Sequence, residues 1–200
     1  MQSDLILSRT MPMIFEEYFP PFGIRECEQI IHVLMEREEK MVKTHNINGR
    51  WENLYLDIHY VPELKDILLF ACRAAKNLTG KNVFVPMKEL GFPNNEFWFN
   101  IACKDESTRW HNHKNGSVLS GVYYLQVPKN SGNITFRQNT GTKVVQWTTI
   151  SEKGKMILFD SSIQHCVPAN QNQKKRISVA FNIYCLPFDE KNYLSESQSS

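Results

Sequence analysis

The stretch Trp110–Gln126, WHNHKNGSVLSGVYYLQ, decides how the rest of the chain is read. It opens with two histidines, His111 and His113, two positions apart in a polar segment. Residues i and i+2 of an extended segment share a face, so both imidazoles can turn toward one point. Asn115-Gly116 is a turn signal. From Ser117 to Gln126 the chain reads as a strand, with Val118, Ser120, Val122, Tyr124 and Gln126 on one face. A third histidine, His165, follows 52 positions after His113, and Arg176 another 11 after that. About four strands of ~5–6 residues fit between the pair and His165. That many can wind round and return the chain beside its starting point.

Outward from this stretch the pattern stays two-residue periodic. Glu96 to Cys103 alternates Phe97, Phe99, Ile101 and Cys103 against Trp98, Asn100 and Ala102. Further strands are expected at 133–137, 143–150, 155–160, 163–168 and 175–186, separated by Gly- and Asn-bearing turns. Many short strands at such spacing specify a β-sandwich or barrel. In the last of them Arg176, Ser178, Ala180, Asn182 and Tyr184 share one face, and Ile177, Val179, Phe181 and Ile183 the other. One face packs; the other presents a guanidinium, a hydroxyl and an amide, which suits a polar pocket.

Before residue 96 the period is helical. Cys27, Ile30, Ile31 and Leu34 recur at i, i+3, i+4, i+7, which predicts a helix from Glu26 to about Val42. A second helix is predicted from Pro62 to Gly80, with a stripe of Leu64, Ile67, Leu68, Ala71, Ala75 and Leu78. Both helices are expected on one face of a sheet. Residues 13–21 suggest an edge strand ending at Pro20-Pro21. The alternation of Leu54, Leu56 and Ile58 suggests a short strand ending near Tyr60. The whole reads as a single domain over 1–200, with a support region at 1–95, a core at 96–186 and a flexible tail at 187–200.

With 42% hydrophobic residues, the 200-residue chain can bury a sizeable core. A net charge of +2 and scattered Lys and Arg give no nucleic-acid footprint. Five cysteines without CxxC spacing suit a reducing compartment rather than a disulfide framework or zinc finger. No apolar run approaches the ~20 residues of a membrane span, and no secretion signal is evident, so a cytoplasmic location without a membrane partner is expected. Nothing indicates the oligomeric state.

Taken alone, each marker has a plainer reading. A close histidine pair in a polar segment is more often surface, Arg176 an exposed strand charge, and Tyr124 core packing with a wet tip. A structural zinc site usually recruits cysteine. The letters HNH match a nuclease motif whose residues are dispersed rather than contiguous. His32, His45 and His59 have no partner at ligand spacing.

Taken together, the blocks resemble the 2-oxoglutarate/Fe(II)-dependent oxygenases, and most closely a bacterial and phage branch related to prolyl hydroxylases. The blocks are WFNI at 98–101, His111-Asn112-His113, LSGVYYL at 119–125, Val127-Pro128, SGNITF at 131–136, Leu158-Phe159 with His165, and RISVAFN at 176–182. The resemblance covers about residues 96 to 186 and implies a double-stranded β-helix, or jelly roll. It implies Fe(II) held by His111, His113 and His165, and 2-oxoglutarate gripped by Arg176 with Ser178 and Tyr124 beside it. Asn100, Asn182 and Trp98 would line the pocket. The wider superfamily carries aspartate at the position of His113, so Asp160 is an alternative carboxylate ligand. The implied activity is hydroxylation of an unactivated C–H bond in a small molecule, amino acid or peptidyl substrate, with release of succinate and CO2 and ascorbate as assay reductant. Two rivals stand beside it: a three-histidine cupin-type dioxygenase that does not use 2-oxoglutarate, and a non-catalytic jelly-roll binding protein. Trp98, Trp110, Tyr123 and Trp147 are candidates for an entrance.

Overall fold

A computed structural model describes residues 13–47, 50–113, 116–141 and 143–188. In chain order it runs β1 (Phe15–Tyr18), α1 (Ile24–Glu36), β2 (Val42–Ile47), β3 (Arg50–Tyr55), α2 (Leu64–Thr79) and β4 (Val83–Phe84). Then follow β5 (Phe97–Ala102), β6 (Thr108–His111), β7 (Leu119–Gln126) and β8 (Ile134–Asn139). The chain closes with β9 (Val144–Thr149), β10 (Met156–Asp160), β11 (Gln164–Val167) and β12 (Arg176–Cys185).

The strands form two sheets. The major sheet has the order β1-β10-β7-β12-β5-β3-β2, with β4 also pairing β12; the minor sheet has the order β6-β11-β8-β9. From β5 onward the chain alternates between the two sheets, apart from the β8–β9 hairpin, which lies wholly in the minor one. All the strand pairs are antiparallel, as a jelly roll requires.

Residue phase explains the layers. Val179, Phe181 and Ile183 of β12 point into the main core, which also takes Ile30 and Leu34 of α1 and Ile67, Leu68 and Ala71 of α2. Both helices therefore cover the major sheet on one face, as the apolar stripes predict. Gly121 of β7 is dictated by this packing: a Cβ there would collide with the Phe181 ring and with Leu158. The inner face between the sheets has its own smaller cluster around Val122, Tyr124, Phe136 and Phe159.

Two local expectations change. The first helix stops at Glu36 rather than near Val42, followed by a short 3-10 turn at Glu38–Lys40. Glu36 to Lys40 is an unbroken charged run with no apolar stripe to bury, and Met41 then turns back into the core at 7% exposure. The expected strand near Leu54–Tyr60 is the second arm of a β2–β3 hairpin and ends at Tyr55. Leu56 and Ile58 are still buried, but Ile58 sits in a 3-10 turn capped by the Asp57 side chain. The four-residue strand β6 carries too few residues to show a period. The tail expected to be flexible lies outside the described residues beyond Phe188. No helix among the described residues is long and apolar enough to cross a membrane. The five cysteines are all free.

Candidate metal centre

The strands β6 and β11 pair so that His111 and His165 stand directly opposite each other. His113 lies two residues past the end of β6, where its backbone N–H donates to the Ser161 carbonyl at 2.9 Å. The ring centroids are 4.1 Å apart for His111–His165, 5.2 Å for His111–His113 and 5.3 Å for His113–His165. One nitrogen from each ring lies within 4.8 Å of the others.

The tautomers follow from hydrogen bonding. His111 Nδ1 is 2.8 Å from the Arg109 carbonyl and His165 Nδ1 is 3.2 Å from the Ile163 carbonyl. A carbonyl only accepts, so both Nδ1 atoms carry the proton and both Nε2 atoms are left as lone-pair donors. Burial, reinforced by the charge of His111 and then of His45, pushes His113 down to about 3. Burial, with His111 and His113 beside it, holds His165 well below the ordinary histidine range. These two imidazoles are neutral at neutral pH, which is the protonation state a metal ligand needs. Crowded and convergent, with His113 and His165 held neutral, the donor set fits one transition-metal ion.

Asp160 does not join it. Its Oδ1 accepts from the Ser162 backbone N–H at 2.9 Å and the Ser162 hydroxyl at 2.6 Å, so it caps the turn before β11.

The cavity that contains the three histidines also contains Arg176, Ser178, Tyr124, Trp98 and Asn100. Arg176 is 2% exposed, and Nη1 donates to the Ser131 carbonyl at 3.0 Å. No acidic side chain pairs with it among the described residues. Burial brings it down to about 10, against the opposing influence of Tyr124 and with the help of Arg50, so it keeps its charge at neutral pH. A buried, unpaired guanidinium is costly and calls for an anion. The Tyr124 hydroxyl is buried with the Ser151 side chain beside it, and burial pushes it up to about 12. It keeps its proton at neutral pH and can donate it. A second, larger cavity of about 490 Å³ lies between the 127–133 and 168–171 segments, against about 70 Å³ for the first. It holds none of the histidines, so chemistry rather than size marks the site.

The remaining expected residues divide. Trp98 is 7% exposed with its ring 5.6 Å from that of His113. Asn100 accepts from Arg50 Nη2 at 2.7 Å and donates to the Glu52 carbonyl at 3.2 Å. Asn182 stands outside the cavity lining. It accepts from the Ser120 hydroxyl at 2.9 Å and donates to Glu96 at 3.0 Å, further along the same face of β12. Of the four aromatic entrance candidates, Trp98 alone lines the cavity. Tyr123 is in the main core, Trp147 stacks on Phe136, and Trp110 lies under the Arg137 guanidinium.

Sequence reasoning missed Glu52, Asn53 and Thr108, which also line the cavity. Glu52 and Asn53 come from the ambiguous 44–60 region, where no period pointed to a hairpin reaching the site. Gly132 was legible only as a turn residue. With φ +93°, it has no room for a Cβ, which would lie 2.6 Å from the Pro168 carbonyl and 3.1 Å from Arg176 Nη1.

Comparison with known proteins agrees with this geometry. Residues 96–182 match a family model described as putative 2OG-Fe(II) oxygenase. The non-heme α-ketoglutarate-dependent epimerase SnoN of nogalamycin biosynthesis superimposes with a TM-score of 0.63 at 13% identity, over 86% of this chain and 76% of SnoN. A prolyl-4-hydroxylase from Pseudomonas putida gives 0.58 at 15% identity, over 87% and 94%. HygX from Streptomyces hygroscopicus, with nickel and 2-oxoglutarate bound, gives 0.62 at 11% identity, over 88% and 84%. No curated protein matches the sequence. At such identities the superpositions establish the jelly-roll fold alone. The sequence match adds that residues 96–182, which span the strands that carry the histidine cluster and Arg176, are similar to the family described as putative 2OG-Fe(II) oxygenase.

Proposed function

We propose that this protein is a 2-oxoglutarate- and Fe(II)-dependent dioxygenase that hydroxylates an unactivated C–H bond of a small molecule, amino acid or peptidyl substrate. The observation that carries the reading is one cavity that joins three convergent imidazoles to a buried, unpaired guanidinium. The sequence match over residues 96–182 supports it, and so does the nickel and 2-oxoglutarate bound in HygX.

In this reading His111, His113 and His165 hold the iron through neutral nitrogens, and no proton need leave His113 or His165 when it binds. Arg176 grips the far carboxylate of 2-oxoglutarate, with the Tyr124 hydroxyl and Ser178 as further donors. The Ser131 carbonyl occupies Nη1 and so orients the guanidinium. When bound, the metal and co-substrate would supply the oxidising chemistry with O2 as the oxidant: one oxygen atom goes to the succinate left when 2-oxoglutarate loses CO2, the other to the substrate C–H bond. Trp98, packed beside His113, walls the substrate side of the cavity and excludes water there.

The three-histidine donor set also suits a cupin-type dioxygenase that needs no 2-oxoglutarate. Succinate formation with Fe(II), 2-oxoglutarate and ascorbate separates the two. Wild type is expected to turn over 2-oxoglutarate. Arg176→Ala is expected to lose about 10- to 100-fold in kcat/KM for it, the worth of a charge-assisted hydrogen bond, with metal affinity kept. A wild type that binds neither iron nor 2-oxoglutarate rules the proposal out. A wild type that binds iron but forms no succinate transfers it to the cupin reading, and full succinate formation in Arg176→Ala removes Arg176 as the anchor of 2-oxoglutarate.

A further inference from the structure

We propose that Arg50, on β3, is a positioning residue that fixes the two walls of the metal cavity relative to each other. The inference rests on the metal-site reading above. Arg50 lies outside the segment matched by the family model, on the amino-terminal hairpin. It is 9% exposed. Nη1 donates to the Ser107 carbonyl and to the Thr108 hydroxyl at 3.3 Å, and Nη2 donates to Asn100 Oδ1 at 2.7 Å. Glu52 Oε1 is 3.4 Å from Nη1, and Glu106 Oε2 is 3.5 Å from Nε.

These partners belong to different walls. Asn100 is on β5 of the major sheet, opposite Ser178 of β12. Ser107 precedes and Thr108 opens β6 of the minor sheet, the strand that ends at His111. One rigid guanidinium therefore clamps the crossing from β5 to β6, three residues upstream of a candidate metal ligand. A lysine ammonium is a point charge and cannot span these acceptors as the planar fork does. Asn100 and Thr108 both line the cavity, so the clamp lies one side chain behind the site. Its charge also reaches Arg176, where it opposes protonation.

Fork and charge separate experimentally. Arg50→Lys keeps the charge and removes the fork, and Thr108→Val removes one acceptor while leaving Arg50 in place. Affinity for Ni(II), a redox-inert probe, and for 2-oxoglutarate is measured by calorimetric titration, with thermal melting as the folding control. Arg50→Lys is expected to bind Ni(II) about tenfold more weakly, as for other groups that orient metal ligands, and 2-oxoglutarate within about twofold of wild type. Thr108→Val is expected to weaken Ni(II) severalfold while melting close to wild type. Should Arg50→Lys fail to fold, Thr108→Val decides alone. Wild-type Ni(II) affinity in every folded variant of the pair overturns the positioning role. A wild type that itself binds neither probe refutes the metal-site reading instead.

Discussion

The major and minor sheets carry different halves of the site and are built differently. The major sheet lies under two helices and a continuous core that includes Phe97, Phe99, Val179 and Phe181. Its ten-residue strand β12, flanked by β5 and β7, supplies Arg176 and Ser178. The minor sheet supplies His111 and His165 from four-residue strands. Its buried cluster lies only toward the major sheet, and on its outermost strand Val144 and Val145 are 65% and 47% exposed. A buried lone charge needs a scaffold that does not yield, and the central strand of a thick core provides one. Metal ligands need less. Direct pairing of His165 with His111 and two backbone acceptors aim the rings, and in the proposed reading a bound ion would add the cohesion that the thin core does not.

The hardest test of that contrast is Phe181→Ala. Phe181 is fully buried in the major core, against the space left by Gly121. Its truncation is expected to cost about 3–5 kcal/mol in urea denaturation, much of a domain's stability. A cost below about 1 kcal/mol would remove the basis for calling the major sheet the rigid partner.

Next in size is His165→Ala. Losing one of three ligands is expected to weaken Ni(II) binding by about 100-fold or more, given that changes to groups behind the ligands already cost 10–100-fold. Saturating Ni(II) at about 100 times Kd adds about 2.7 kcal/mol to wild-type stability. The same concentration is expected to leave the variant's melting temperature unmoved. If Ni(II) stabilises both alike, the ion sits elsewhere and the minor sheet has no metal to lean on.

A smaller, graded effect comes from acid. Burial lowers both His113 and His165 from 6.5. In the unfolded chain these rings take protons as pH drops through 6.5, while in the folded chain they resist. Below pH 6.5 the unfolded state therefore binds more protons, and metal-free stability falls, by at most about 1.4 kcal/mol per pH unit per ring. Between pH 6.5 and 5, above the usual carboxylate range, His165→Ala is expected to show the shallower slope in denaturant titrations. Equal slopes would mean that His165 is not held neutral by the fold.

How far the sequence discloses this division depends on the element. The major sheet's core strands are legible because Phe97/Phe99 and Val179/Phe181/Ile183 alternate over six to ten residues, long enough for a two-residue period to register. The helices are legible for the same reason at a period of 3.6, and Gly80 marks the end of α2 with φ +67°. β6 is not: its four residues, Thr-Arg-Trp-His, have no apolar face, and their partners in β11 lie more than fifty positions away. The histidine pair is visible only because two imidazoles at i and i+2 are rare enough to be noticed. Glu52 and Asn53 reach the cavity, and Arg50 stands behind it, through the β2–β3 hairpin, whose side chains are mostly polar or half-exposed, so neither period nor composition separates most of it from a loop. Asn182 shows the converse: face parity along β12 is legible, but distance along that face from the site is not.

The smallest expected effect lies on β9. Val144 pairs with Asn139 at the start of a strand that, among the described residues, has a neighbour only on the β8 side. At 65% exposure it contributes little buried apolar surface. Threonine has the same branched shape and suits a strand as well, so Val144→Thr changes neither rotamer freedom nor pairing. The cost is therefore expected to stay within about 0.5 kcal/mol, as for other surface substitutions, and to be the same at two protein concentrations. A cost above about 1 kcal/mol that grows with protein concentration would mean that association buries this strand in solution. The minor sheet would then have a second packed face, and its need for the ion as a source of cohesion would disappear.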